Sequence, residues 1–218
     1  MQPDFPRAEA QSPIVVGVCM ARLILVRHGQ SVWNAANRFT GWTDVKLSAQ
    51  GVEEAEEAGR QLSGIRIDVV HTSDLVRAQR TAEIIIQHNE VSETVPTSFD
   101  WRLNERHYGT LQGLNKAETA EKHGTEQVQT WRRSYDVAPP DGESLEMTAN
   151  RTIPYFLEEI IPDLEEGRNV LVSAHGNSLR SIVMHIEQIS PKDIVSLEIA
   201  TGIPIHYSFE DGVVRRSE

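Results

Sequence analysis

The chain has 218 residues, a length at which an α/β protein commonly forms one continuous core, so a single domain is the first expectation. Hydrophobic residues make up 39% and charged residues 24% of the chain, which argues against a disordered or fibrous protein. Thirty-two acidic against 21 basic side chains give a formal charge of −11. This excess argues against a broad surface for nucleic acid or anionic membranes, so any anionic ligand must be captured locally.

The N-terminal segment offers the only candidate for targeting. Residues 13–20 are mostly apolar, but they are far fewer than the roughly 20 residues that span a bilayer. Asp4 and Glu9 do not suit the basic leader of a signal peptide. Cys19 is the only cysteine, which excludes an internal disulfide and fits a reducing compartment. We therefore expect a cytoplasmic protein that contacts neither membrane nor nucleic acid.

Three apolar runs predict strands that are buried on both faces. The first covers residues 23–26, the second residues 67–70 and the third residues 170–172. Near-continuous runs of Val, Ile and Leu are typical of strands in the middle of a parallel sheet.

Two amphipathic stretches predict helices after the first two runs. The apolar stripe of the first consists of Val52, Ala55, Ala58 and Leu62. Its acidic residues are expected on the opposite, solvated face: Glu53, Glu54, Glu56 and Glu57. The apolar stripe of the second consists of Leu75, Ala78, Ala82, Ile85 and Ile86. The polar residues 72–74 suit an N-cap, so this helix is expected to start at Ser73, with Arg77 one turn into it. A third helix is predicted after Asn177.

Strands that alternate with helices predict an α/β fold, a three-layer sandwich with a mainly parallel central sheet and helices on both faces. Residues 100–142 mix aromatic, basic and glycine residues and are expected to form a mostly helical and looped excursion over the sheet edge. We expect residues 21–218 to form one domain and residues 1–20 an N-terminal extension, with Met20 as an alternative start.

Two histidines lie where predicted strands end. His28 belongs to an Arg-His-Gly element at residues 27–29, and His175 to an Ala-His-Gly element at residues 174–176. Open α/β sheets bind ligands outside the carboxyl ends of their strands, so the two histidines are predicted to meet over one pocket. Taken alone, a histidine after a strand is more often a hydrogen-bonded structural residue.

Arginines and glycines at the same strand ends favour phosphate as the ligand. Arg27 adjoins His28, and Arg77 lies at the start of a helix that follows another strand. The guanidinium fork matches phosphate oxygens, and helix N-termini attract anions. Gly29 and Gly176 allow a close backbone approach. Arg77 could by itself be a surface charge, but the combination predicts a phosphate site.

Residues 25–34, Leu-Val-Arg-His-Gly-Gln-Ser-Val-Trp-Asn, resemble the signature of the cofactor-dependent phosphoglycerate mutases within the histidine phosphatase superfamily. The similarity continues through blocks at residues 38–42, 72–78, 103–109, 111–116, 131–135 and 174–180, and it extends from residue 21 to the region of residue 208. The Arg-His-Gly element belongs to the whole superfamily. The Asn-Glu-Arg-His-Tyr-Gly, Gly-Leu-Asn-Lys and Trp-Arg-Arg blocks are typical of the mutase branch.

This resemblance implies a role for each matching residue. His28 would be the nucleophile and Glu105 the general acid and base, while Arg27, Arg77 and His175 would bind the phosphoryl group in transfer. The positions implied to hold the phosphates and carboxylate of phosphoglycerate are Ser31, Asn34, Thr40, Gly41, Tyr108, Lys116, Arg132, Arg133, Gly176 and Asn177.

The resemblance also implies a reaction, the interconversion of 3-phosphoglycerate and 2-phosphoglycerate in glycolysis and gluconeogenesis. It would run through a phosphohistidine primed by 2,3-bisphosphoglycerate. No metal is expected, since the sequence has no helical His-Glu-x-x-His or clustered carboxylate motif. Members of the family are often dimers or tetramers, which makes a homo-oligomer possible.

The sequence departs from the family pattern in three places. Residues 1–20 precede the signature, residues 139–144 stand where larger members carry a longer insertion, and the chain stops soon after Tyr207, without the tail that helps cover the site in larger relatives. Water that reaches a phosphohistidine hydrolyses it. A compact variant is therefore predicted, with a broad-specificity histidine phosphatase as the alternative function. A phosphate-binding or partner-binding module without catalysis is a further alternative.

Other aromatic residues are expected to be structural. The tryptophans predicted to pack rather than contact substrate are Trp33, Trp42, Trp101 and Trp131. His107 is expected to be structural as well. The histidines without a predicted function are His71, His88, His123, His185 and His206.

Overall fold

The fold is described from a computed structural model that covers residues 20–91 and 94–217. Residues 1–19 lie outside the described residues, and with them Cys19 and most of the predicted N-terminal extension. In the two described ranges, no helix is long and apolar enough to cross a membrane.

A mixed sheet forms the centre of the described chain. Its strands are β1 (Ala21–Arg27), β2 (Val69–Thr72), β3 (Thr97–Phe99), β4 (Val170–Ala174), β5 (Pro204–Glu210) and β6 (Val213–Arg216). They lie in the order β3-β2-β4-β1-β5-β6. The pairs β3–β2, β2–β4 and β4–β1 are parallel, while β1–β5 and β5–β6 are antiparallel. The predicted mainly parallel sheet is confirmed, and the antiparallel pair at one side was not foreseen.

Helices cover both faces of this sheet. The α-helices of the described residues are α1 (Val32–Ala35), α2 (Ala49–Gln61), α3 (Val76–Gln87), α4 (Lys116–His123), α5 (Thr125–Arg133), α6 (Leu145–Tyr155), α7 (Ile161–Glu165) and α8 (Gly176–Glu187). Of these, α2 and α3 pack on one face of the sheet, and α6, α7 and α8 pack on the other. A π-helical turn, Phe156–Ile160, joins α6 to α7. Short 3₁₀ segments occur at Trp101–Leu103, Gly109–Leu111 and Asp193–Ser196.

The alternation of side chains along β1 explains the three layers. Leu23 and Leu25 belong to the core cluster that includes residues of α6 and α8, whereas Ile24 and Val26 belong to the cluster that includes residues of α2 and α3. Successive strand residues point to opposite faces, so a continuous apolar run serves both cores. The predicted three-layer sandwich is thereby confirmed.

The acidic face of α2 is less solvated than the sequence indicated. Ala55, Ala58 and Leu62 are fully buried, as predicted. Glu54, however, accepts hydrogen bonds from the Gln30 backbone N–H (2.8 Å) and from the Gln50 side chain (2.9 Å). Glu54 therefore ties α2 to the loop that follows β1.

The start of α3 differs from the prediction. The helix begins at Val76, and its N-cap residue, Leu75, provides no side-chain hydrogen bond. The Asp44 carboxylate accepts from the Val76 N–H (2.8 Å), so the cap comes from a distant loop. Ser73 is used elsewhere, in contact with His175. Arg77 is consequently the second residue of α3, in its first turn.

The predicted excursion begins after the edge strand β3 and contains α4 and α5. Its side chains line the same cavity as Arg27 and Gly176, at the ends of β1 and β4. The segment therefore extends from the sheet edge, where we expected it, to the carboxyl ends of the central strands.

Candidate active site

The parallel pairing of β1 with β4 brings the two strand-end histidines together. Arg27 lies opposite Ala174 in the register, and the His28 N–H donates to the Ala174 carbonyl (2.9 Å). The imidazole rings of His28 and His175 meet edge to face with their centroids 4.9 Å apart. The predicted juxtaposition of the two histidines is present in the structure.

The hydrogen bonds of His28 define its tautomer. Its Nδ1 lies 2.7 Å from the Gly29 carbonyl oxygen, which can only accept, so Nδ1 carries the proton. Nε2 is then the unprotonated nitrogen, and it lies 3.3 Å from Nε of Arg77, which donates to it. An unprotonated Nε2 has the lone pair that an attack on phosphorus requires.

Burial and neighbouring cations keep both imidazoles neutral. Burial is the largest cause that holds the pKa of His28 well below 6.5, followed by the charges of Arg77 and Arg27. Burial, and after it Arg77, lowers the pKa of His175 in the same way. The sequence suggested the arginine effect but not the larger contribution of burial. His175 Nε2 also lies 2.7 Å from the Ser73 hydroxyl, which fixes its ring.

Arg77 and Arg27 are anchored by backbone carbonyls. Arg77 donates to the carbonyls of Gly41 (2.8 Å) and Thr43 (3.0 Å) and is 1% exposed. Burial lowers its pKa to about 10, which leaves it charged at neutral pH. Arg27 donates through Nη1 to the Ile199 carbonyl (2.8 Å), while its buried Nε has no partner among the described residues. That free donor is available to an anionic ligand.

Glu105 enters the site from the excursion and is held at both its backbone and its carboxylate. Its carbonyl accepts from Trp42 Nε1 (2.5 Å) and Arg151 Nη2 (3.0 Å). Its Oε1 accepts from the Arg106 N–H (2.8 Å) and from both the N–H (3.1 Å) and the side-chain amide (2.9 Å) of Asn177. The carboxylate is therefore fixed in one orientation.

A cavity of about 470 Å³ opens beside these groups, and five cationic side chains against two carboxylates line it. The charged lining residues are Arg27, Lys116, Arg132, Arg133, Arg180, Glu105 and Glu198. A narrower recess of about 60 Å³, lined by His28 and Arg77 among others, shares Arg27, Glu105, Tyr108 and Lys116 with it. Despite the net negative charge of the chain, the site is strongly positive.

Most of the residues singled out from the sequence lie in this site. The cavity is lined by Arg27, Glu105, Tyr108, Lys116, Arg132, Arg133, Gly176 and Asn177. The recess adds His28, Asn34, Thr40, Gly41 and Arg77. Two predicted residues line neither space. His175 is fully buried with its ring against that of His28. Ser31 is fully buried as the N-cap of α1, where its hydroxyl accepts from the Asn34 N–H.

Sequence reasoning missed several residues at the site. Arg180 falls in a block that resembles the family, but no role was predicted for it, and Glu198 gave no signal at all. Arg38 lines the recess, and Arg106 is a buried cation beside Tyr108. Burial is the largest single influence on the pKa of Tyr108 and works to raise it. The charge of Arg106 and the hydrogen bonds with Arg106 and Asn177 together outweigh burial and lower that pKa. A single charged residue in a loop has no periodicity that would reveal its position.

The residues expected to be structural stay out of both spaces. None of Trp33, Trp42, Trp101 and Trp131 lines the cavity or the recess, although Trp101 is 48% exposed rather than packed in the core. His107 accepts from the Gly109 N–H (3.0 Å) and contacts Trp42, which is a structural arrangement. Within residues 20–91 and 94–217, no group of three or more His, Cys, Asp or Glu side chains could hold a metal ion.

A three-layer α/β fold with two strand-end histidines in contact, beside Arg27 and the buried Arg77, is typical of the histidine phosphatases. The family model of the histidine phosphatase superfamily (branch 1) matches residues 23–215. A protein of Protochlamydia amoebophila called 2,3-bisphosphoglycerate-dependent phosphoglycerate mutase is 50% identical, over 87% of this chain and 96% of that protein. A protein of Cytophaga hutchinsonii with the same name is 54% identical, over 87% of this chain and 88% of that protein. The chain therefore belongs to the family of 2,3-bisphosphoglycerate-dependent phosphoglycerate mutases in that superfamily, as the resemblance predicted.

The alignments also bear on the compact form of the chain. The Protochlamydia alignment spans 216 positions but only 87% of this chain, so it includes positions where this chain has no residue. The Cytophaga alignment covers the same share in 190 positions. The Protochlamydia relative therefore has residues within the aligned region that this chain lacks, in keeping with a compact variant.

Solved structures share the fold. Bacillus stearothermophilus YhfR superposes with a TM-score of 0.80 at 25% identity, over 90% of this chain and 95% of that protein. The mycobacterial glucosyl-3-phosphoglycerate phosphatase superposes with a TM-score of 0.74 at 26% identity, over 87% and 90%. The same architecture thus occurs in a protein described as a phosphatase.

Proposed function

We propose that this chain interconverts 3-phosphoglycerate and 2-phosphoglycerate through a phosphohistidine at His28. The observation that carries the proposal is the unprotonated Nε2 of His28, which lies in a recess that shares its walls with the cation-lined cavity. The names of relatives that are about half identical support the choice of phosphoglycerate as substrate.

His28 would act as the nucleophile. Its Nε2 forms a bond to phosphorus as the bond from phosphorus to the substrate oxygen breaks, and phosphoglycerate then takes the group back on its free hydroxyl. Arg27, Arg77 and His175 would stabilise the oxygens of the phosphoryl group in transfer. Most of the rate enhancement in phosphoryl transfer comes from such positioning and electrostatic stabilisation. Burial and the arginine charges support this role, since they keep the attacking nitrogen neutral.

Glu105 would handle the proton of the reacting hydroxyl. Its carboxylate lines both the recess and the cavity, within reach of a ligand that bridges the two. Accepting the proton makes the hydroxyl oxygen a better nucleophile, and returning it makes the oxygen a better leaving group.

The remaining site residues would hold the carboxylate and the phosphate that does not react. Each charge-assisted hydrogen bond contributes about 1.5 to 3 kcal/mol, so a small polyanion needs several. We assign this role to Asn34, Thr40, Gly41, Tyr108, Lys116, Arg132, Arg133, Gly176 and Asn177. Ser31, which is fully buried, would act indirectly by capping α1 beside Asn34.

The primer that the family name implies, 2,3-bisphosphoglycerate, would supply the phosphoryl group that His28 first carries. The donors present suit such a polyanion, since Arg27 Nε and Thr40 Oγ1 are buried and unpartnered among the described residues at the recess. The proposed cycle has no metal step. A cytoplasmic location, the absence of nucleic-acid and membrane partners and a possible homo-oligomer remain predictions from the sequence.

One specific observation favours a second function. The phosphatase of known structure has the same fold, and a phosphohistidine that water can reach is hydrolysed. A broad-specificity histidine phosphatase would need His28, Arg27, Arg77 and His175 but not the residues that hold phosphoglycerate. A phosphate-binding module would not turn over at all.

An enolase-coupled assay separates these functions. Conversion of 3-phosphoglycerate that depends on added 2,3-bisphosphoglycerate supports the mutase, release of free phosphate alone supports the phosphatase, and neither supports a binding module. Labelling with 2,3-bisphosphoglycerate should give acid-labile phosphate that is lost in His28→Ala and retained in the control His206→Ala, on β5. Labelling that persists in His28→Ala would exclude His28 as the nucleophile.

A further inference from the structure

The two oxygens of the Glu105 carboxylate have different environments. Oε1 accepts three N–H donors, from the Arg106 backbone and from the backbone and side chain of Asn177. No donor among the described residues reaches Oε2, which lies 3.6 Å from the position that a Cβ on Gly176 would occupy. Gly176 and Glu105 both line the cavity. Oε2 is therefore the oxygen available to a ligand.

Arg180 determines which way the Asn177 amide points. Both residues lie on α8, three positions apart and so on the same face. Arg180 Nη1 donates to Asn177 Oδ1 (3.0 Å). Because a guanidinium has only donors, Asn177 must present its oxygen to Arg180 and its NH₂ group to Glu105.

Arg180 is itself fixed in place. Its Nη2 donates to the Ile194 carbonyl (2.5 Å), and the side chain is 3% exposed. Burial, with help from the charges of Arg106 and Arg133, lowers its pKa to about 10, so it stays protonated at neutral pH. A buried cation with a fixed fork is a rigid support for the amide.

We propose that Glu105 exchanges the substrate proton through Oε2, and that Arg180 is the positioning residue that imposes this by orienting the Asn177 amide towards Oε1. In the transfer from His28 to substrate, the bond between Nε2 and phosphorus breaks as the hydroxyl oxygen bonds to phosphorus, and the hydroxyl proton passes to Oε2. In the reverse transfer the proton returns from Oε2 to the leaving oxygen. This inference rests on the proposed role of Glu105, and a phosphatase would use the same oxygen to protonate its leaving group.

The test is a double-mutant cycle between Arg180→Met and Asn177→Ala, with Arg180→Lys as the conservative variant. We expect Arg180→Met to lower kcat about tenfold or more with KM changed less than about threefold, because positioning acts on the transition state. Arg180→Lys, which keeps the charge and a donating nitrogen, should recover most of kcat. The double variant should be no slower than Asn177→Ala by more than about twofold, because coupled residues are not additive.

Other results overturn the inference. A raised KM with unchanged kcat in Arg180→Met would make Arg180 a direct ligand contact, and independent multiplicative losses in the double variant would exclude an action through Asn177. Arg102→Met, which removes a guanidinium outside the cavity and recess, controls for the loss of a charge. Melting temperatures of all variants identify losses that come from unfolding.

A second variant keeps the inference testable if Arg180→Met does not fold. Asn177→Asp still accepts from Arg180 but can no longer donate from its side chain to Oε1, so kcat should fall while Arg180 remains paired. Wild-type turnover in Asn177→Asp would overturn the proposal that Arg180 positions Glu105 through the Asn177 amide. The wild-type protein, run in the mutase and phosphate-release assays, tests the proposed function separately. If the wild-type protein only releases phosphate, the kcat and KM of each variant are compared with those of the wild type for phosphate release instead.

Discussion

Arg133 and Glu198 form an ion pair at the lip of the cation-lined cavity. Arg133 is the last residue of α5, and Glu198 lies in the segment between the last 3₁₀ turn and β5. The Glu198 side chain is 74% exposed and that of Arg133 only 21%, so the carboxylate reaches inwards from the surface. Glu198 is thus paired with Arg133, an arginine that we assign to binding the anionic substrate.

Replacing Glu198 should strengthen the binding of anions. In wild type, Arg133 must leave the Glu198 carboxylate before it binds the anionic substrate, whereas in Glu198→Gln it does not. An exposed ion pair is worth about 0.2 to 1 kcal/mol. We expect KM for 3-phosphoglycerate to fall up to about fivefold, with kcat little changed. Steady-state kinetics measures both parameters.

Salt and a matched ion pair control for this effect. The difference in KM should shrink at high ionic strength, where exposed charges are screened. Glu83→Gln breaks a similar exposed pair with Arg80 on α3, outside the cavity and recess, and should leave KM unchanged. A KM that rises in Glu198→Gln would mean that Glu198 holds substrate rather than competing with it.

Glu105→Gln should slow turnover without disturbing the site. The amide can keep its oxygen at the Oε1 position, where three N–H groups donate, but it cannot take up a proton. The loss should be roughly 10²- to 10⁴-fold in kcat, the usual contribution of a general acid-base group. Glu118→Gln, on the exposed side of α4, should behave as wild type. Unchanged turnover in Glu105→Gln would remove the acid-base role.

The fold was predictable where one side-chain pattern decides an element. The run at residues 23–26 faces two cores at once, so its unbroken apolar character identified a central strand. The position of His28 and His175 at adjacent strand ends followed from parallel pairing alone. The antiparallel β5 was missed because its residues are mostly half-buried, without an unbroken buried run.

The rest depended on long-range contacts that no local pattern reports. Residues 72–74 have the composition of an N-cap, but the Ser73 hydroxyl lies against His175 instead, and Asp44 caps the helix. The sequence does not distinguish Glu54 from an exposed glutamate, because the Gln30 N–H that it accepts from lies in the loop after β1. The resemblance identified Glu105, but not that Oε1 is occupied and Oε2 free, because that distinction exists only in three dimensions.

The buried histidines should make the protein less stable in acid. Burial and arginine charges lower the folded-state pKa of His28 and His175, whereas in the unfolded chain both should titrate near 6.5. Below about pH 6.5 the unfolded state therefore binds more protons, and the free energy of unfolding falls as pH falls towards the folded-state pKa values. Each histidine contributes a slope of up to about 1.4 kcal/mol per pH unit.

Denaturant titrations between pH 7.5 and pH 5.5 measure this slope. His28→Asn removes one of these two buried histidines, so the stability of the variant should depend less steeply on pH than that of the wild type. His175→Asn should do the same. An equal slope in all three proteins would show that neither histidine is held neutral by the fold.

The close contact between α2 and the loop after His28 leads to a stability prediction with an internal control. A Cβ on Gly51 would lie 2.0 Å from the Gln30 carbonyl oxygen, which already accepts from the Ser48 N–H and hydroxyl. Gly51→Ala must push this loop or the helix away, and overpacking of this kind costs about 1 to 3 kcal/mol.

A Cβ on Gly64, by contrast, has no atom within 4 Å. Gly64→Ala should leave the protein unchanged or more stable by up to about 1 kcal/mol, since it restricts the unfolded chain. The loop continues from Gly29, whose carbonyl accepts from His28 Nδ1, so Gly51→Ala should also lower kcat. An unchanged kcat despite lost stability would show that the loop moves without displacing His28.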